Sequence, residues 1–345
     1  MATQKAQPSF NIEKTVEDVL DTIERDRERE IISRRFGLFD RRETLEQIGE
    51  LLGITRERVR QLEKAVMARL KAAAKQDLPH IKEVETLFSD KLRSVGGAAR
   101  ITELAGKLTK DNNRVDQARV SFLAQLCPKL AVIDENDFFY LAVGLTSQHD
   151  EKAIRDQINK IIDAIKQIGE PTSVEKIAEA VKDSDPKHTQ ALASISKQIA
   201  TLNNRWGLVK WPMVNPKNIR DKIYVILHDH EKPMHFNEIA KAIKDSSFRR
   251  KDVTTQAIHN ELIKDKRFVL IGRGIYALKE WGYDKGTVAD VISKVLKKAG
   301  EPLHRDEIVR RVLKSRQVKE TTILLNLQGK QQFKRVAKAT YSLAE

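Results

Sequence analysis

Apolar residues recur at helical spacing in the segment that follows Thr44, and this segment carries the signals that begin and end helices. The recurring apolar residues are Leu45, Ile48, Leu51 and Leu52. Thr44 followed by Gln47 predicts a capping box at the start of this helix. Gly53 predicts its end, because glycine tolerates the left-handed conformation of a helix C-terminus. Thr55 can then cap a second helix, so the pattern predicts a helix-turn-helix.

The second helix of this pair has an apolar side and a polar side. The apolar side is formed by Val59, Leu62, Val66 and Leu70. The polar side is formed by Glu57, Arg60, Gln61 and Lys64, with Arg56 next to Arg60. We expect the apolar side to pack against the first helix. The polar side would then be exposed near the helix N-terminus, where a recognition helix meets base edges in a major groove.

The residue types on the polar side suit the recognition of bases. Arginine can donate two hydrogen bonds to guanine, glutamine can pair in the same way with adenine, and glutamate can accept from cytosine. Glu57 would therefore discriminate between bases rather than attract phosphates. The alternative is a solvated amphipathic helix, which is the usual interpretation of a run of charges.

One pattern of apolar positions is repeated four times in the rest of the chain. The copies include GGAARITELAGKL from Gly96, GEPTSVEKIAEAV from Gly169, EKPMHFNEIAKAI from Glu231 and GEPLHRDEIVRRV from Gly300. Each copy follows an apolar-periodic helix and precedes a further helix and two alternating segments typical of a β-hairpin. This order predicts a winged helix. The fold class is therefore mainly α, with a helix-turn-helix module followed by tandem winged-helix domains that have small β-hairpin wings.

Short polar junctions between these segments predict five domains. The helix-turn-helix module would span 1–77, and the winged helices would span 78–150, 151–217, 218–284 and 285–345. Because the junctions are short, we expect neighbouring domains to stack rather than swing freely.

The charge balance indicates an anionic partner. The 345 residues carry a formal net charge of +14, and nucleic acid is the commonest partner of such a surplus. A membrane surface fits less well, because no amphipathic segment has a purely basic polar face. The net charge rises from +1 in residues 1–77 to +7 in residues 286–345. The first module is nearly neutral, so its arginines must bind a partner through specific contacts rather than through a large net positive charge.

The chain shows no pattern typical of an enzyme, a cofactor site or a metal site. Cys127 is the only cysteine, which excludes an internal disulfide and a cysteine-built zinc site and fits a reducing cytosol. His228, His230 and His235 lie close together, but the other repeats lack them, so we expect exposed side chains rather than zinc ligands. No apolar run predicts a signal peptide or a membrane span. We therefore expect a non-enzymatic cytoplasmic protein associated with the nucleoid.

The N-terminal helix pair resembles region 4 of the sigma-70 family of bacterial RNA polymerase sigma factors. The string TRERVRQLE is highly specific for that family, and EREIISRRFGL lies upstream of it, so the resemblance covers residues 16–75. It implies that the second helix reads a promoter −35 element in the major groove. The positions that match base-contacting residues are Arg56, Glu57, Arg60 and Gln61, and Arg58 and Lys64 would lie nearer the phosphates.

The resemblance has two further implications. The helix upstream of the pair would help to build a surface for the polymerase flap, and its apolar residues are Ile31, Ile32, Phe36 and Leu38. The match begins near residue 16, which leaves no room before it for the region that melts the −10 element. We therefore expect that this chain is not a complete primary sigma factor on its own.

The third repeat resembles the HARE helix-turn-helix domain, a winged helix at the N-terminus of the bacterial RNA polymerase delta subunit. The hairpin segment GRGIYALKEWG carries the most specific part of this resemblance. The fourth repeat is similar but has AKATYSLAE at its hairpin. The resemblance implies a role linked to DNA or to the polymerase.

Basic residues near the third helices and hairpins of the last two repeats are candidates for phosphate contacts. They are Arg249, Arg250, Lys251, Arg267, Arg273, Arg316, Lys319, Lys334, Arg335 and Lys338. The alternative is a solvated surface on a winged helix that binds protein.

The sequence therefore predicts a sequence-specific DNA-binding transcription protein of bacterial type. Its partners would be double-stranded DNA, read at a −35-like element, and the RNA polymerase core, with no membrane partner. One alternative is a polymerase accessory protein that binds the flap and competes with sigma factors. Another is the specificity subunit of a restriction-type system.

Overall fold

The computed structural model describes residues 10–146, 150–250, 252–283, 286–316 and 318–344. The chain forms two compact units, Met1–Lys210 and Trp211–Glu345. Both units are built mainly from helices with small antiparallel sheets, which confirms the predicted mainly α class. Within the described ranges, no helix combines the length and the apolar composition needed to cross a bilayer.

The first unit begins with two helices, which are followed by the predicted helix-turn-helix. These four helices are α1 (Ile12–Asp21), α2 (Asp26–Phe36), α3 (Leu45–Leu52) and α4 (Arg56–Ala74). Both halves of the capping box between Thr44 and Gln47 are present. Gly53 ends α3 in the left-handed conformation with φ 61°, and the Thr55 side chain accepts a hydrogen bond from the Arg58 backbone. The local signals therefore place the turn where the sequence predicted it.

The apolar side of α4 is buried as the helical wheel predicted. Val59, Val66 and Leu70 are buried, and Val59 packs in a small core with Ile31 and Ile48. The α3 helix departs from its predicted pattern at Leu51, whose side chain is 54% exposed. A helix of eight residues presents only part of its surface to a neighbour, so one of four periodic apolar residues remains outside the core.

The rest of the first unit contains the first two repeats. The first repeat consists of α5 (Ile81–Arg93), β1 (Ala98–Arg100), α6 (Ile101–Leu108), α7 (Arg114–Leu126), β2 (Leu130–Ile133) and β3 (Ala142–Leu145). The second consists of α8 (Glu151–Ile168), α9 (Val174–Val181), α10 (Pro186–Ile195), β4 (Ile199–Leu202) and β5 (Arg205–Leu208). An isolated bridge between Thr172 and Trp206 stands where the first repeat has β1.

The second unit contains the third and fourth repeats. The third consists of α11 (Ile219–His230), β6 (Met234–His235), α12 (Phe236–Asp245), α13 (Thr255–Lys264), β7 (Phe268–Gly272), β8 (Ile275–Leu278) and a 3-10 helix (Lys279–Trp281). The fourth consists of α14 (Val288–Ala299), β9 (Leu303–His304), α15 (Arg305–Leu313), α16 (Glu320–Gly329), β10 (Phe333–Ala337) and β11 (Thr340–Leu343).

The same order of elements thus recurs four times. In the first, third and fourth repeats the last strand of the hairpin lies between the other two strands, in the orders β1-β3-β2, β6-β8-β7 and β9-β11-β10. The apolar residues that align in the four sequence copies are all buried, and they are Leu104, Ile177, Ile239 and Ile308. Each repeat therefore places the same aligned position in its core.

One continuous core joins the N-terminal helices to the first repeat. Its buried residues run from Ile12 on α1 to Leu145 on β3 and include Val66 on α4 and Phe122 on α7. The four apolar residues that the resemblance assigned to a flap-binding surface also face inward. Ile31, Ile32 and Leu38 are fully buried, and Phe36 packs edge-on against Phe122. They support the fold and do not form an exposed surface.

Candidate nucleic-acid interface

The polar side of α4 is exposed over its first turns, from Arg56 to Lys64. The exposed residues include all six predicted DNA contacts on this helix, namely Arg56, Glu57, Arg58, Arg60, Gln61 and Lys64. Val59 lies among them in sequence but is fully buried. Its burial fixes how α4 is rotated about its own axis. The side chains proposed to read bases therefore point away from the core.

A set of short-range hydrogen bonds orders the first turns of α4. Arg60 donates from Nε to Glu57 Oε2 at 2.9 Å and from Nη2 to Glu57 Oε1 at 2.6 Å. The hydrogen bonds from Arg60 lower the pKa of Glu57 below its ordinary value, and the same bonds raise the pKa of Arg60. Arg56 donates to Glu46 on α3 at 2.9 Å. Exposed ion pairs of this kind are weak, so they can open when a stronger ligand approaches.

Ion pairs between α2 and α4 hold α4, the candidate recognition helix, in place. Glu28 on α2 is only 6% exposed, and its carboxylate accepts hydrogen bonds from Arg25 and Arg69. Arg35 on α2 donates to Glu63 on α4 at 3.2 Å. A buried carboxylate needs such partners, because an unpaired buried charge is costly. The α4 helix is therefore anchored at its middle and its end, while its first turns stay exposed.

The third helix of the first repeat is covered by the N-terminal helices. Arg119 on α7 is 8% exposed, and its Nε donates to the Leu38 carbonyl oxygen at 2.8 Å. Its Nη2 group donates to Glu13 on α1 at 2.5 Å. The α7 helix is thus enclosed on both sides, and it is unavailable to a DNA groove.

The third helix of the second repeat is covered in turn by the first repeat. Arg100 at the end of β1 donates to the Ser194 carbonyl oxygen of α10 at 2.5 Å. A Cβ atom built on Gly96 would lie 2.3 Å from the Lys187 carbonyl oxygen, so the two backbones touch. The inner residues of α10 are buried, including Thr189, Ala193 and Ile195. The α10 helix therefore also serves an internal contact.

The third helix of the third repeat has an exposed outer face. Gln256, Asn260 and Lys264 on α13 are exposed, while Ile258 and Leu262 are buried. Arg273 is exposed at the turn between β7 and β8. Lys251 lies outside the described residues. Arg267 is engaged by Asp221 and Asp265 and so has a structural contact.

A buried lysine shapes the loop that precedes α13. Lys222 on α11 is 4% exposed, and its Nζ donates to the carbonyl oxygens of Arg249 and Arg250 at 2.9 and 2.7 Å. Burial, and then the charge of Arg250, lowers the pKa of Lys222. The side chains of Arg249 and Arg250 themselves are exposed. The lysine therefore fixes the backbone of a loop that presents two arginines to solvent.

Replacing Lys222 with methionine is expected to loosen this loop. The variant keeps a similar volume but leaves two carbonyl oxygens without their donor, which costs about 1–3 kcal/mol of unfolding free energy. Denaturant unfolding of the full-length protein measures this loss, and amide exchange should speed up around Arg250. Lys241→Met, the same change at an exposed position on α12, is the matched control. Equal stability of the two variants would contradict the assigned role of Lys222.

The fourth repeat presents its basic residues on the hairpin. Lys334 and Arg335 on β10 are exposed, as is Lys338 in the following turn. Arg316 was wrongly predicted as a phosphate contact, because its side chain is buried and its Nη1 donates to the Leu270 carbonyl oxygen at 2.7 Å. The exposed positive charge of this hairpin therefore lies in its β10 strand and turn.

The histidines and the cysteine considered as metal ligands or as a nucleophile lie in surroundings typical of residues that support the fold. The ring of His230 contacts the Ile226 carbonyl oxygen through Nδ1 at 2.8 Å. Across the residues that the structure describes, no three His, Cys, Asp or Glu side chains gather in a way that could hold a metal ion. Cys127 is buried, and burial raises the pKa of its thiol to about 12, so the thiol stays protonated and is a poor nucleophile.

Comparison with known proteins identifies the N-terminal module. Residues 25–72 match the protein family described as sigma-70, region 4. Those residues form a sigma-70 region 4 domain. This confirms the sequence prediction for α2, α3 and most of α4, where TRERVRQLE and the exposed polar face lie.

The related proteins are similar to this chain over the same module. The RNA polymerase sigma factor SigA of Listeria monocytogenes is 46% identical over 61 residues, which are 17% of this chain and 16% of the relative. SigA of Listeria innocua shows the same identity and coverage. The match thus spans about a sixth of the length of these relatives. The resemblance of the third repeat to a HARE domain stays a prediction.

Proposed function

We propose that the protein is a sequence-specific DNA-binding transcription protein that reads a −35-like promoter element with α4 and acts with RNA polymerase. The observation that carries this proposal is the exposed polar face on the first turns of α4 within a sigma-70 region 4 domain. In this role Arg56, Glu57, Arg60 and Gln61 contact base edges. The relatives that share the module are RNA polymerase sigma factors. The function implies a cytoplasmic, nucleoid-associated protein without catalytic chemistry of its own.

The four repeats are proposed to be winged-helix domains, with the boundaries predicted from the sequence. Three helices followed by a hairpin, with an early strand paired to the last one, support this interpretation in three repeats. The third repeat is proposed to be of the HARE type. Its hairpin turn depends on Gly274, where a Cβ atom would lie 2.6 Å from the ring of His235.

Selection of bound duplexes from a random library by the full-length protein tests the proposed function. We expect an enriched element whose base preferences change when α4 residues are altered. Retention of the RNA polymerase core, measured at a salt concentration that abolishes DNA binding, tests the polymerase contact separately. If no sequence is enriched while the polymerase is retained, the protein is an accessory factor that binds the polymerase rather than a promoter reader.

The basic hairpin of the fourth repeat is expected to add contacts that do not depend on sequence. Replacing Lys334 and Arg335 with alanine should weaken binding to all duplexes alike. The slope of log affinity against log salt should decrease by about 2, because each lost phosphate contact removes about one unit. Lys160→Ala with Lys176→Ala removes the same charge from exposed positions on α8 and α9. If this control flattens the slope equally, the hairpin has no special role.

A further inference from the structure

The second repeat contains a cavity of about 390 Å³ between α8 and the loop that joins α9 to α10. Its volume lies in the range of small-molecule sites, which combine an apolar lining with a few polar groups. The apolar lining is formed by Ile161 on α8, Val181 at the end of α9 and Leu192 on α10. The polar lining contains both hydrogen-bond acceptors and positive charges, and these two kinds of group limit what the cavity can bind.

The short loop between α9 and α10 leaves this space open. Lys160 on α8 and Lys222 on α11 stand equally far in sequence before the aligned core residues Ile177 and Ile239. In the third repeat a longer loop joins α12 to α13, and Lys222 is buried beneath it and donates to two of its carbonyl oxygens. In the second repeat only residues 182–185 join the two helices, and Lys160 stays exposed at the cavity. The lysine that holds a loop in the third repeat is therefore available to a ligand in the second.

Asp183 brings a negative charge to the cavity lining. Its carboxylate accepts hydrogen bonds from the Thr189 hydroxyl at 2.7 Å and from the Asp185 backbone at 3.0 Å. It also lies 2.8 Å from His188 Nδ1. Burial opposes ionisation of this carboxyl, but these hydrogen bonds together outweigh burial and lower its pKa. The carboxylate is therefore charged at neutral pH and held in a fixed orientation.

Gln157 on α8 adds an acceptor that the fold leaves unsatisfied. Its side chain lines the cavity, and its Oε1 atom is buried without a hydrogen-bond partner among the residues that the structure describes. A buried oxygen without a donor is costly, so a ligand that donates a hydrogen bond to Oε1 removes that cost.

Two lysines bring positive charge to the same cavity. Lys160 is exposed on α8, and Lys182 is exposed at the end of α9, where its backbone is left-handed with φ 59°. Within the described part of the chain, neither ammonium group forms a hydrogen bond or an ion pair. Both charges can therefore bind an anionic group of a ligand.

We propose that this cavity binds a free α-amino acid with an apolar side chain. The ammonium group of the ligand donates to the Asp183 carboxylate and to Gln157 Oε1, its carboxylate binds Lys160 and Lys182, and its side chain packs on the apolar lining. A simple carboxylic acid would place its charge near Asp183 and leave the acceptors without donors. A simple amine would leave both lysines without an anion. The proposal goes beyond the proposed function, which requires no ligand.

Isothermal titration of the full-length protein with leucine, isoleucine, valine and phenylalanine tests this proposal. We expect at least one of the four to bind and to slow amide exchange in residues 182–192, which border the cavity. Analogues of that amino acid without the ammonium or without the carboxylate should bind at least about tenfold more weakly, because each loses charge-assisted hydrogen bonds. The proposal is wrong if none of the four binds at millimolar concentration. Tighter binding of adenosine monophosphate than of any amino acid would identify an anion site and would also overturn it.

Two variants locate the site. Gln157→Met removes the buried acceptor at similar volume, so the fold loses no hydrogen bond while the ligand loses one. Lys182→Gln removes a positive charge from the cavity. Each change should weaken amino-acid binding at least about tenfold. Thermal melting confirms that each variant is folded.

Lys176→Gln is the matched control for these variants. It removes the same charge as Lys182→Gln from an exposed position on α9 that does not line the cavity. We expect it to bind the amino acid as the unaltered protein does. Equal binding by all three variants would place the ligand elsewhere and overturn the proposal, whatever the DNA-binding experiments show about α4.

Discussion

Arg60→Ala is expected to weaken binding of the full-length protein to its preferred duplex by about 5- to 150-fold. The variant removes two donors from an exposed guanidinium on the first turns of α4, where a guanine edge would receive them. Base preference should relax at one position of the enriched element. Fluorescence anisotropy with the enriched duplex, and with duplexes changed at each position, measures both effects.

Two control variants distinguish base reading from simple charge. Arg60→Lys keeps the charge but cannot form the bidentate pair, so the preference should still relax at that position. Lys64→Ala should weaken binding to all duplexes alike, because Lys64 is proposed to lie near the phosphates. An Arg60→Ala protein that keeps the full base preference would contradict the assignment of α4 as a reading helix.

Gly96→Ala is expected to cause the largest loss of stability among these variants. Gly96 has a φ of +98°, and an added Cβ would lie 2.3 Å from the backbone carbonyl oxygen of Lys187. A backbone atom cannot turn aside as a side chain can, so α10 must shift away from β1. Overpacking of this kind costs about 1–3 kcal/mol, and the left-handed backbone adds further strain.

Gly169→Ala provides the matched control for this variant. Gly169 ends α8 with a φ of +78°, but nothing lies within 4 Å of an added Cβ. It therefore carries the backbone strain without the collision. Denaturant unfolding should show a larger loss for Gly96→Ala, and hydrogen exchange should increase along α10. If both variants lose the same free energy, the contact between the first two repeats is looser than the geometry indicates.

Local sequence signals predicted the N-terminal helix-turn-helix in detail. The capping box at Thr44, the left-handed glycine at Gly53 and the cap at Thr55 all occur at the predicted residues. These signals work because each depends on hydrogen bonds between residues at most four positions apart. The exposure of Arg60 and its neighbours followed from the same helical period that buried Val59.

Two features of the sequence could have indicated that α7 is enclosed and that α10 packs closely against a neighbour. The α7 segment RVSFLA has apolar residues on most sides of the helix, and α10 carries the small residues of ALASIS. A helix that is apolar all round is usually buried, and small residues allow backbones to approach closely. Neither feature identifies the neighbour that covers the helix.

The sequence by itself determined where α3 and α4 begin, where α3 ends, and which sides of α4 are apolar and polar. Only the tertiary structure decided that α7 and α10 serve internal contacts, that Arg316 is buried, and that the outer face of α13 is exposed. The physical reason is the range of the interactions. Caps and periodicity act within a few residues of the chain, whereas the cover of a helix face comes from residues that are distant in sequence and become neighbours only when the chain folds.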